Sequence, residues 1–292
     1  MTANDNAIIP IIAPQPAAVE SWSGKDRADE NFPVGSLFIR AALRPHIHAF
    51  YAFARNADDI ADHAGLSPAA KRARLDIMED ILTGTSHDDA TAPSAARLRA
   101  SLAQTGISTI HARELLHAFR QDAVKSRYAD WAELLEYCRY SAAPVGRYVL
   151  DLHGESTSTW PASDALCAAL QILNHLQDCA NDLRALDRCY IPADLLAAHN
   201  AGIDDIARAE AIPALRLVFD DMLARVATLN ATAAALPGGV AARRLRVETA
   251  IIAALARRLT ARLRIGDPLA ARVALRKPDF IGATIGALSH LL

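Results

Sequence analysis

The chain has 292 residues, of which 52% are hydrophobic and 22% are charged, a composition that excludes a disordered or fibrous protein. Its 31 basic and 33 acidic residues give a formal net charge of -2, which argues against binding nucleic acid through overall positive charge. The four cysteines include no CxxC pair, which argues against a disulfide scaffold and a zinc site, and we expect a reduced, cytoplasmic protein.

The chain begins with a segment, residues 1–24, that we expect to be a flexible tail. Pro10, Pro14 and Pro16 interrupt its short apolar stretch, and an acidic residue stands where a signal peptide needs positive charge. From residue 25 onwards, strand patterns are nearly absent, and stretches rich in Ala, Leu and Arg recur. No linker rich in Pro, Gly or Ser divides this part, so we predict a single all-α domain over residues 25–292.

The helices of this domain are predicted from periodicity and from Pro and Gly near the expected ends. They are Ser36–Leu43, Pro45–Ala64, Ala69–Thr83, Ala92–Gln104, Ser108–Val124, Trp131–Tyr140, Ala143–Leu152, Ala162–Leu186, Ala209–Leu236, Ala241–Ile265 and Pro268–Leu275.

Charged residues interrupt the apolar stripe of the helix predicted around His48–Asp62. At about 100° per residue, Tyr51, Arg55, Asp58 and Asp62 fall within an arc of roughly 60°. Stacked carboxylates destabilise a helix slightly, and burying them costs far more unless a cation neutralises them. A solvated acidic face that is paired with Arg55 is the alternative interpretation.

The segment Leu170–Pro192 repeats this arrangement. Its polar residues Gln171, Asn174, Asp178 and Asp182 share an arc of roughly 80°. Flanking leucines and isoleucine make the helix mainly buried, where two ionised carboxylates need a compensating cation. The two helices together predict a site in which about four carboxylates face each other across a cavity.

Mg²⁺ suits such a site, because it takes oxygen ligands, keeps several waters and binds through a few carboxylates plus substrate phosphates. We therefore predict a diphosphate that is held through Mg²⁺. Zinc is disfavoured, since no Cys or His is in register with the carboxylates. Arg55, Arg184, Arg188 and Tyr190 are close enough in sequence to reach a phosphate, although ordinary surface ion pairs remain open for each arginine.

The C-terminal part is basic. Between Ala241 and Lys277 there are ten Lys or Arg residues against two acidic residues. Such a region either contacts an anionic membrane, here the inner membrane face, or forms a solvated outer face. The terminal Phe280–Leu292 stretch of 13 residues is too short to span a bilayer as a helix.

The two carboxylate helices, FYAFARNADDIAD and LQILNHLQDCANDLRALDRCYIP, resemble the head-to-head trans-isoprenyl diphosphate synthases, the family of squalene, phytoene and dehydrosqualene synthases. The resemblance is clear from about Asp26 to Pro192. Within the family, the branch that forms hydroxysqualene in bacterial hopanoid biosynthesis is the most similar, on the segments SGKDRADENFPVGS, FRQDAVKSRYADWAELLEYCRYSAAPVGRYVL and DRCYIP.

This resemblance implies an isoprenoid synthase helical bundle around an apolar cavity. The implied reaction converts presqualene diphosphate and water to hydroxysqualene and diphosphate, with Mg²⁺ and without NADPH. The metal-binding residues would be Asp58, Asp59, Asp62, Asp178 and Asp182. The catalytic residues would be Tyr51, Gln171 and Asn174. The substrate-binding residues would be Arg55, Arg188, Tyr190, Asn31, Ala142, Val145 and Gly146. The implied partners are the isoprenoid diphosphate substrate and, functionally, the sister enzyme presqualene diphosphate synthase.

One segment departs from the family pattern. Carotenoid-type members carry Ser-x-Ser-Phe where this chain has Asp29-Glu30-Asn31-Phe32. We hypothesise that Asp29, Glu30 or Asn31 positions the water that ends the reaction; a solvated N-cap before the Ser36 helix is the alternative.

Two other functions stay open at this point. One is a squalene, dehydrosqualene or phytoene synthase that starts from farnesyl diphosphate. The other is a non-catalytic relative that acts as an assembly factor, although both DxxxD pairs are intact.

Overall fold

The computed structural model describes residues 18–20 and 39–291, and in that part of the chain the regular elements are helices without strands. The predicted all-α class is confirmed. The α-helices are α1 (Arg44–Asp62), α2 (Pro68–Thr83), α3 (Pro93–Thr105), α4 (Ile110–Asp122), α5 (Trp131–Ser141), α6 (Ala143–Leu152), α7 (Trp160–Leu186), α8 (Ala193–Ala198), α9 (Ile203–Ile206), α10 (Pro213–Ala233), α11 (Leu236–Gly239), α12 (Arg243–Ile265) and α13 (Lys277–Ala287).

Local sequence signals set several helix ends. Before α2, the Ser67 hydroxyl accepts a hydrogen bond from the Ala70 backbone N–H at 3.2 Å, and Pro68 occupies the first turn. Gly84 and Gly106 end α2 and α3 with φ angles of 81° and 71°, a left-handed conformation that glycine adopts without strain.

The prediction of a helix over Pro268–Leu275 is wrong. The Asp267 carboxylate accepts from the backbone N–H groups of Leu269 (2.9 Å) and Ala211 (2.7 Å), which holds the chain in a turn after α12. The helix begins instead at Lys277, where the Asp279 carboxylate accepts from the Arg276 backbone N–H at 2.7 Å. Residues 39–43, the described part of the predicted Ser36 helix, are not helical either.

Two large apolar clusters and a smaller one between α12 and α13 form the core of the described residues. The helices α1 to α4 enclose the first, in which Phe53, Ile60 and Leu75 are fully buried. The helices α7, α10 and α12 enclose the second, which includes Leu173 and Phe219. The α6 helix contributes to both clusters, so it joins the two halves of the bundle.

Two contacts position the helices that later enclose the site. The α6 helix crosses α7 at Gly146, where an added Cβ would lie 2.7 Å from the Cys167 sulfur, so only glycine fits there without movement. The Glu155 carboxylate, after α6, accepts from the backbone N–H groups of Ala241 (2.7 Å) and Ala242 (2.8 Å) and thereby fixes the start of α12.

The α13 helix packs on α12 and leaves an apolar face exposed. The Arg262 guanidinium lies 2.7 Å from the buried Asp279 carboxylate at the start of α13. On the outer side, Ile281 and Ile285 are 60% and 65% exposed. None of the helices in the described part of the chain is both long and apolar enough to cross a membrane.

Candidate active site

A cavity of about 540 Å³ lies between α1 and α7. The α1 helix packs against α2, α3 and α4, whereas α7 packs against α5, α6, α10 and α12, so the space between the two helices stays open. Apolar side chains cover most of its walls, among them Ile47, Phe50, Phe119, Leu166, Leu170 and Ile252. Polar side chains of α1 and α7 occupy the remaining wall.

The cavity brings together nearly all of the residues that the sequence predicts for the site. Its lining includes Tyr51, Arg55, Asp58, Asp62, Ala142, Val145, Gly146, Gln171, Asn174, Asp178, Asp182, Arg188 and Tyr190. The helical arcs therefore place both polar faces correctly, and the individual roles of these residues stay predictions.

Three candidates are not in the cavity lining of the described residues. Asp59 lies about 100° around α1 from Asp58 and is not among the lining residues, and its carboxylate is 3.8 Å from Arg55 Nε. Arg184 donates instead to the exposed Asn181 side chain at 3.1 Å. Asn31 and its neighbours Asp29 and Glu30 lie outside the described residues. The hypothesis that one of them positions a water therefore stays a prediction.

The α1 carboxylates carry more negative charge than their arginine compensates. The Arg55 Nη1 atom lies 3.1 Å from Asp58 Oδ2. Burial and, to a smaller extent, the charge of Asp62 raise the pKa of the Asp58 carboxyl to about 7, although Arg55 opposes both effects. A cation in the cavity would relieve this repulsion.

The carboxylates Asp178 and Asp182 of α7 line the same cavity as the α1 pair. In the described part of the chain, no group of three or more His, Cys, Asp or Glu side chains is close enough together to hold a metal ion. Mg²⁺ is often bound by one or two carboxylates, with waters and substrate phosphates as its other ligands. The all-oxygen donor set at this end of the cavity fits such an ion when a diphosphate is also present.

The segment directly after α7 contributes two further side chains to the cavity wall. Asp187 ends the helix in a left-handed conformation with φ 49°, which Asp tolerates better than most residues. The Arg127 guanidinium bonds both the backbone carbonyl and the carboxylate of Asp187 and holds this turn. The reversed chain then places Arg188 and Tyr190 at the cavity wall.

Arg188 lies at the centre of a buried polar network that the sequence analysis missed in part. It donates to Asp62 Oδ1 at 2.9 Å, to the Asp122 carbonyl at 3.0 Å and to the Tyr190 hydroxyl at 3.2 Å. The Tyr137 hydroxyl donates to Asp122 Oδ2 at 2.8 Å. Burial raises the pKa of the Asp122 carboxyl to about 6, although Arg188 and the Tyr137 hydrogen bond lower it.

His175 was also missed, and the pattern on α7 contained the signal for it. At about 100° per residue it lies about 40° from Gln171 and about 20° beyond Asp182, at the edge of the polar face that the other four residues define. Its ring stacks on Tyr190 with centroids 3.5 Å apart and lines the cavity. Burial, with a smaller effect of Arg188, lowers its pKa to about 3, so the ring is neutral at neutral pH.

Comparisons with known proteins identify the family of this chain. The model of the squalene/phytoene synthase family matches residues 25–279, a range that contains both carboxylate helices. The chain is 47% identical over 273 residues to the hydroxysqualene synthase of Rhodopseudomonas palustris, covering 94% of this chain and 92% of that one. It is 43% identical over 272 residues to the hydroxysqualene synthase of Zymomonas mobilis, with coverages of 92% and 91%.

A solved structure shows the same fold. The squalene synthase HpnC from Alicyclobacillus acidocaldarius is 33% identical and superimposes with a TM-score of 0.72, covering 82% of this chain and 89% of that chain.

Proposed function

Because the chain belongs to the squalene/phytoene synthase family, we propose that this enzyme is a hydroxysqualene synthase of hopanoid biosynthesis. The proposed reaction converts presqualene diphosphate and water to hydroxysqualene and diphosphate, without NADPH. The observation that carries this proposal is the identity of 47% to a hydroxysqualene synthase across 94% of the chain. The single cavity that both aspartate pairs line supports it.

The cavity has one polar wall, while its other walls are apolar. This arrangement fits a substrate with a charged head and a long hydrocarbon part. The aspartates, Arg55, Arg188 and the tyrosines form the polar wall, where the diphosphate would bind. Apolar residues such as Phe50, Leu166 and Leu170 form the rest, where the hydrocarbon would bind. These apolar walls exclude water, which protects a carbocation from early capture.

Ionisation of the substrate requires stabilisation of the departing diphosphate. Arg55 and Arg188 supply fixed positive charge on the polar wall, and Tyr51 supplies a hydroxyl. Asp58, Asp62, Asp178 and Asp182 would hold Mg²⁺, which when bound neutralises the diphosphate charge. Because Arg188 already bonds Asp62, the incoming diphosphate would share this guanidinium with a carboxylate.

Presqualene diphosphate and farnesyl diphosphate distinguish this proposal from its alternatives. The name of the HpnC relative keeps squalene synthase as the second candidate, and such an enzyme would use farnesyl diphosphate. We expect the protein to be inactive with farnesyl diphosphate alone and to form hydroxysqualene from presqualene diphosphate with Mg²⁺. Turnover of farnesyl diphosphate to a thirty-carbon hydrocarbon would instead favour the squalene or dehydrosqualene assignment. A non-catalytic assembly factor would turn over neither substrate.

Alanine substitutions test the aspartate site itself. Asp58→Ala and Asp178→Ala should each abolish turnover while leaving the helical circular dichroism signal intact, since both side chains line the cavity rather than the core. The control Asp76→Ala removes an exposed carboxylate of α2 that pairs with Arg120. An active Asp58→Ala/Asp178→Ala double variant would contradict the metal-site proposal.

We also propose that the protein contacts the inner face of an anionic membrane, where its hydrocarbon product would partition and where presqualene diphosphate synthase would supply its substrate. The exposed apolar residues Phe280, Ile281 and Ile285 of α13, together with Leu288 directly after it, support this proposal. Exposed cationic side chains precede these residues in the sequence, namely Arg243, Arg244, Arg257, Arg264, Arg272, Arg276 and Lys277. The apolar face follows the basic region in the sequence. The proposed membrane contact would therefore combine apolar insertion with electrostatic attraction.

A further inference from the structure

Two polar side chains of α7, Gln171 and His175, meet at the cavity wall. The Gln171 Nε2 atom donates to His175 Nε2 at 3.1 Å, one helical turn further along. Both side chains line the cavity, and the imidazole is only 9% exposed. The stack on Tyr190, with an interplanar angle of 15°, holds the plane of the ring. The diphosphate chemistry described above gives His175 no task.

The direction of this hydrogen bond fixes the Gln171 side chain. An imidazole nitrogen accepts an N–H only while it carries a lone pair, so Nε2 must be unprotonated. Burial and the nearby Arg188 lower the pKa of His175 to about 3, which keeps the ring neutral at neutral pH. Because the NH₂ end of the carboxamide is engaged by the ring, its oxygen is the end available to a bound molecule.

We propose that His175 is a positioning residue that orients the Gln171 carboxamide so that its oxygen accepts a hydrogen bond from the water that captures the carbocation. The inference rests on the proposed function and adds to it the group that selects alcohol over hydrocarbon. A water in a largely apolar cavity needs two to four polar partners to stay bound, and the polar face of α7 offers them beside the apolar walls.

The chemistry of the step balances without a further reactant. A lone pair of the water oxygen forms the C–O bond to the cationic carbon. The resulting oxonium passes its extra proton to the diphosphate, which has just left the same substrate. In the competing reaction, a carbon of the cation loses a proton to the same diphosphate. The product is a hydrocarbon with one more double bond than the alcohol. Gln171 does not change its protonation in either reaction, and it favours capture by holding the water in place.

Two substitutions at His175 separate the hydrogen bond from the ring. His175→Phe keeps an aromatic ring against Tyr190 but removes the acceptor nitrogen. His175→Gln removes the ring but restores an acceptor oxygen at similar reach. We expect the ratio of hydroxysqualene to hydrocarbon products to fall about tenfold in His175→Phe, the effect of losing one hydrogen bond. His175→Gln should recover a large part of the ratio.

Gln171→Leu tests the same pathway from the other partner. It should lower the ratio as much as His175→Phe does, and the double variant should lower it no further, because both changes remove one water-binding group. His117→Phe is the matched control, since His117 is exposed and packs beside Tyr140 outside the cavity lining. The products from presqualene diphosphate and Mg²⁺ in ¹⁸O-labelled water are quantified by gas chromatography and mass spectrometry.

The outcomes separate the inference from the proposed function. A wild-type ratio in His175→Phe, or an equal loss in His175→Phe and His175→Gln, would overturn the role of His175. If His175→Phe does not fold by circular dichroism, His175→Gln and Gln171→Leu still decide the question, and additive losses in their double variant would contradict it. A wild-type enzyme that forms no labelled alcohol at all would overturn the proposed function as well.

Discussion

Arg188 and Asp62 join the two carboxylate helices across the cavity, with Nη1 of the arginine 2.9 Å from Oδ1 of the aspartate. The two residues are 126 positions apart in sequence. The same guanidinium lies 3.8 Å from the Asp122 carboxylate, so one cation compensates two acidic groups, of which Asp122 is almost fully buried. This shared pairing gives Arg188 a part in stability, in addition to the role in substrate binding that is proposed for it.

Replacing Arg188 by glutamine should lower the free energy of unfolding by about 3 kcal/mol, because a buried carboxylate would lose its cation. Urea denaturation measures the change. Arg184→Gln is the control, since Arg184 has only the exposed Asn181 as its described hydrogen-bond partner and should change stability by less than about 0.5 kcal/mol. Equal effects of the two substitutions would contradict a structural role of the Arg188 pairing.

Asp122 should make stability depend on pH in acidic solution. Its pKa is raised from 3.8 to about 6 in the folded protein, mainly by burial. Between these values folded Asp122 holds a proton that it has released in the unfolded chain, so its contribution to the free energy of unfolding falls as pH rises and levels off above about 6. A shift of this size corresponds to a loss of about 3 kcal/mol.

Urea denaturation at pH values from 4 to 7 tests this dependence. Asp122→Asn cannot ionise and should reduce the decline by about 3 kcal/mol, with the remainder coming from Asp58, whose pKa is raised to about 7, whereas the exposed control Asp220→Asn should keep the full decline. An identical decline in wild type and Asp122→Asn would show that another group is responsible.

The crossing of α6 and α7 at Gly146 should be sensitive to a single methyl group. Gly146→Ala would place Cβ 2.7 Å from the Cys167 sulfur and even closer to the Ser163 hydroxyl, so we expect a loss of about 1–3 kcal/mol. Gly286→Ala is the control, because no neighbouring atom lies within 4 Å of its Cβ position and alanine stabilises a helix by roughly 0.5–1 kcal/mol. Thermal or urea denaturation of both variants gives the comparison, and a stabilised Gly146→Ala variant would contradict the close packing.

Membrane contact through α13 should require its exposed isoleucines. We expect the protein to co-sediment with anionic vesicles, and the Ile281→Glu/Ile285→Glu double variant to bind at least about tenfold more weakly, since each buried isoleucine contributes about 1.5–3 kcal/mol. Leu217→Glu, at a residue of α10 that is 53% exposed, should bind as wild type does. Equal sedimentation with neutral vesicles, or none with either type, would exclude the electrostatic part of the proposal.

The helices that carry the site could be predicted because their polar faces follow a strict helical period. The period places Asp58 and Asp62 on one face of α1 and Asp178 and Asp182 on one face of α7, and the two faces line one cavity. It does not identify the C-terminal helix, because the turn after α12 depends on a long-range bond from the Asp267 carboxylate to Ala211. A contact over 56 residues leaves no local signal.

The buried network around Arg188 also depends on contacts between distant segments, which the helical period does not predict. Asp122 and Tyr137 belong to different helices, and they become a pair only because α4 and α5 fold against each other. His175 could have been recognised from its place on the α7 face, but a single histidine on a buried helix is ambiguous without its neighbours. The stack on Tyr190 depends on the left-handed turn at Asp187, which no local sequence pattern predicts.

The hydrogen bonds that the Ala241 and Ala242 backbone N–H groups donate to Glu155 bear on the shape of the cavity. Leu245, Thr249 and Ile252 of α12 form one wall of the cavity, and the carboxylate holds that wall from 86 residues away. The Glu155 carboxylate therefore stabilises the position of a cavity wall, although it is not itself among the residues that line the cavity.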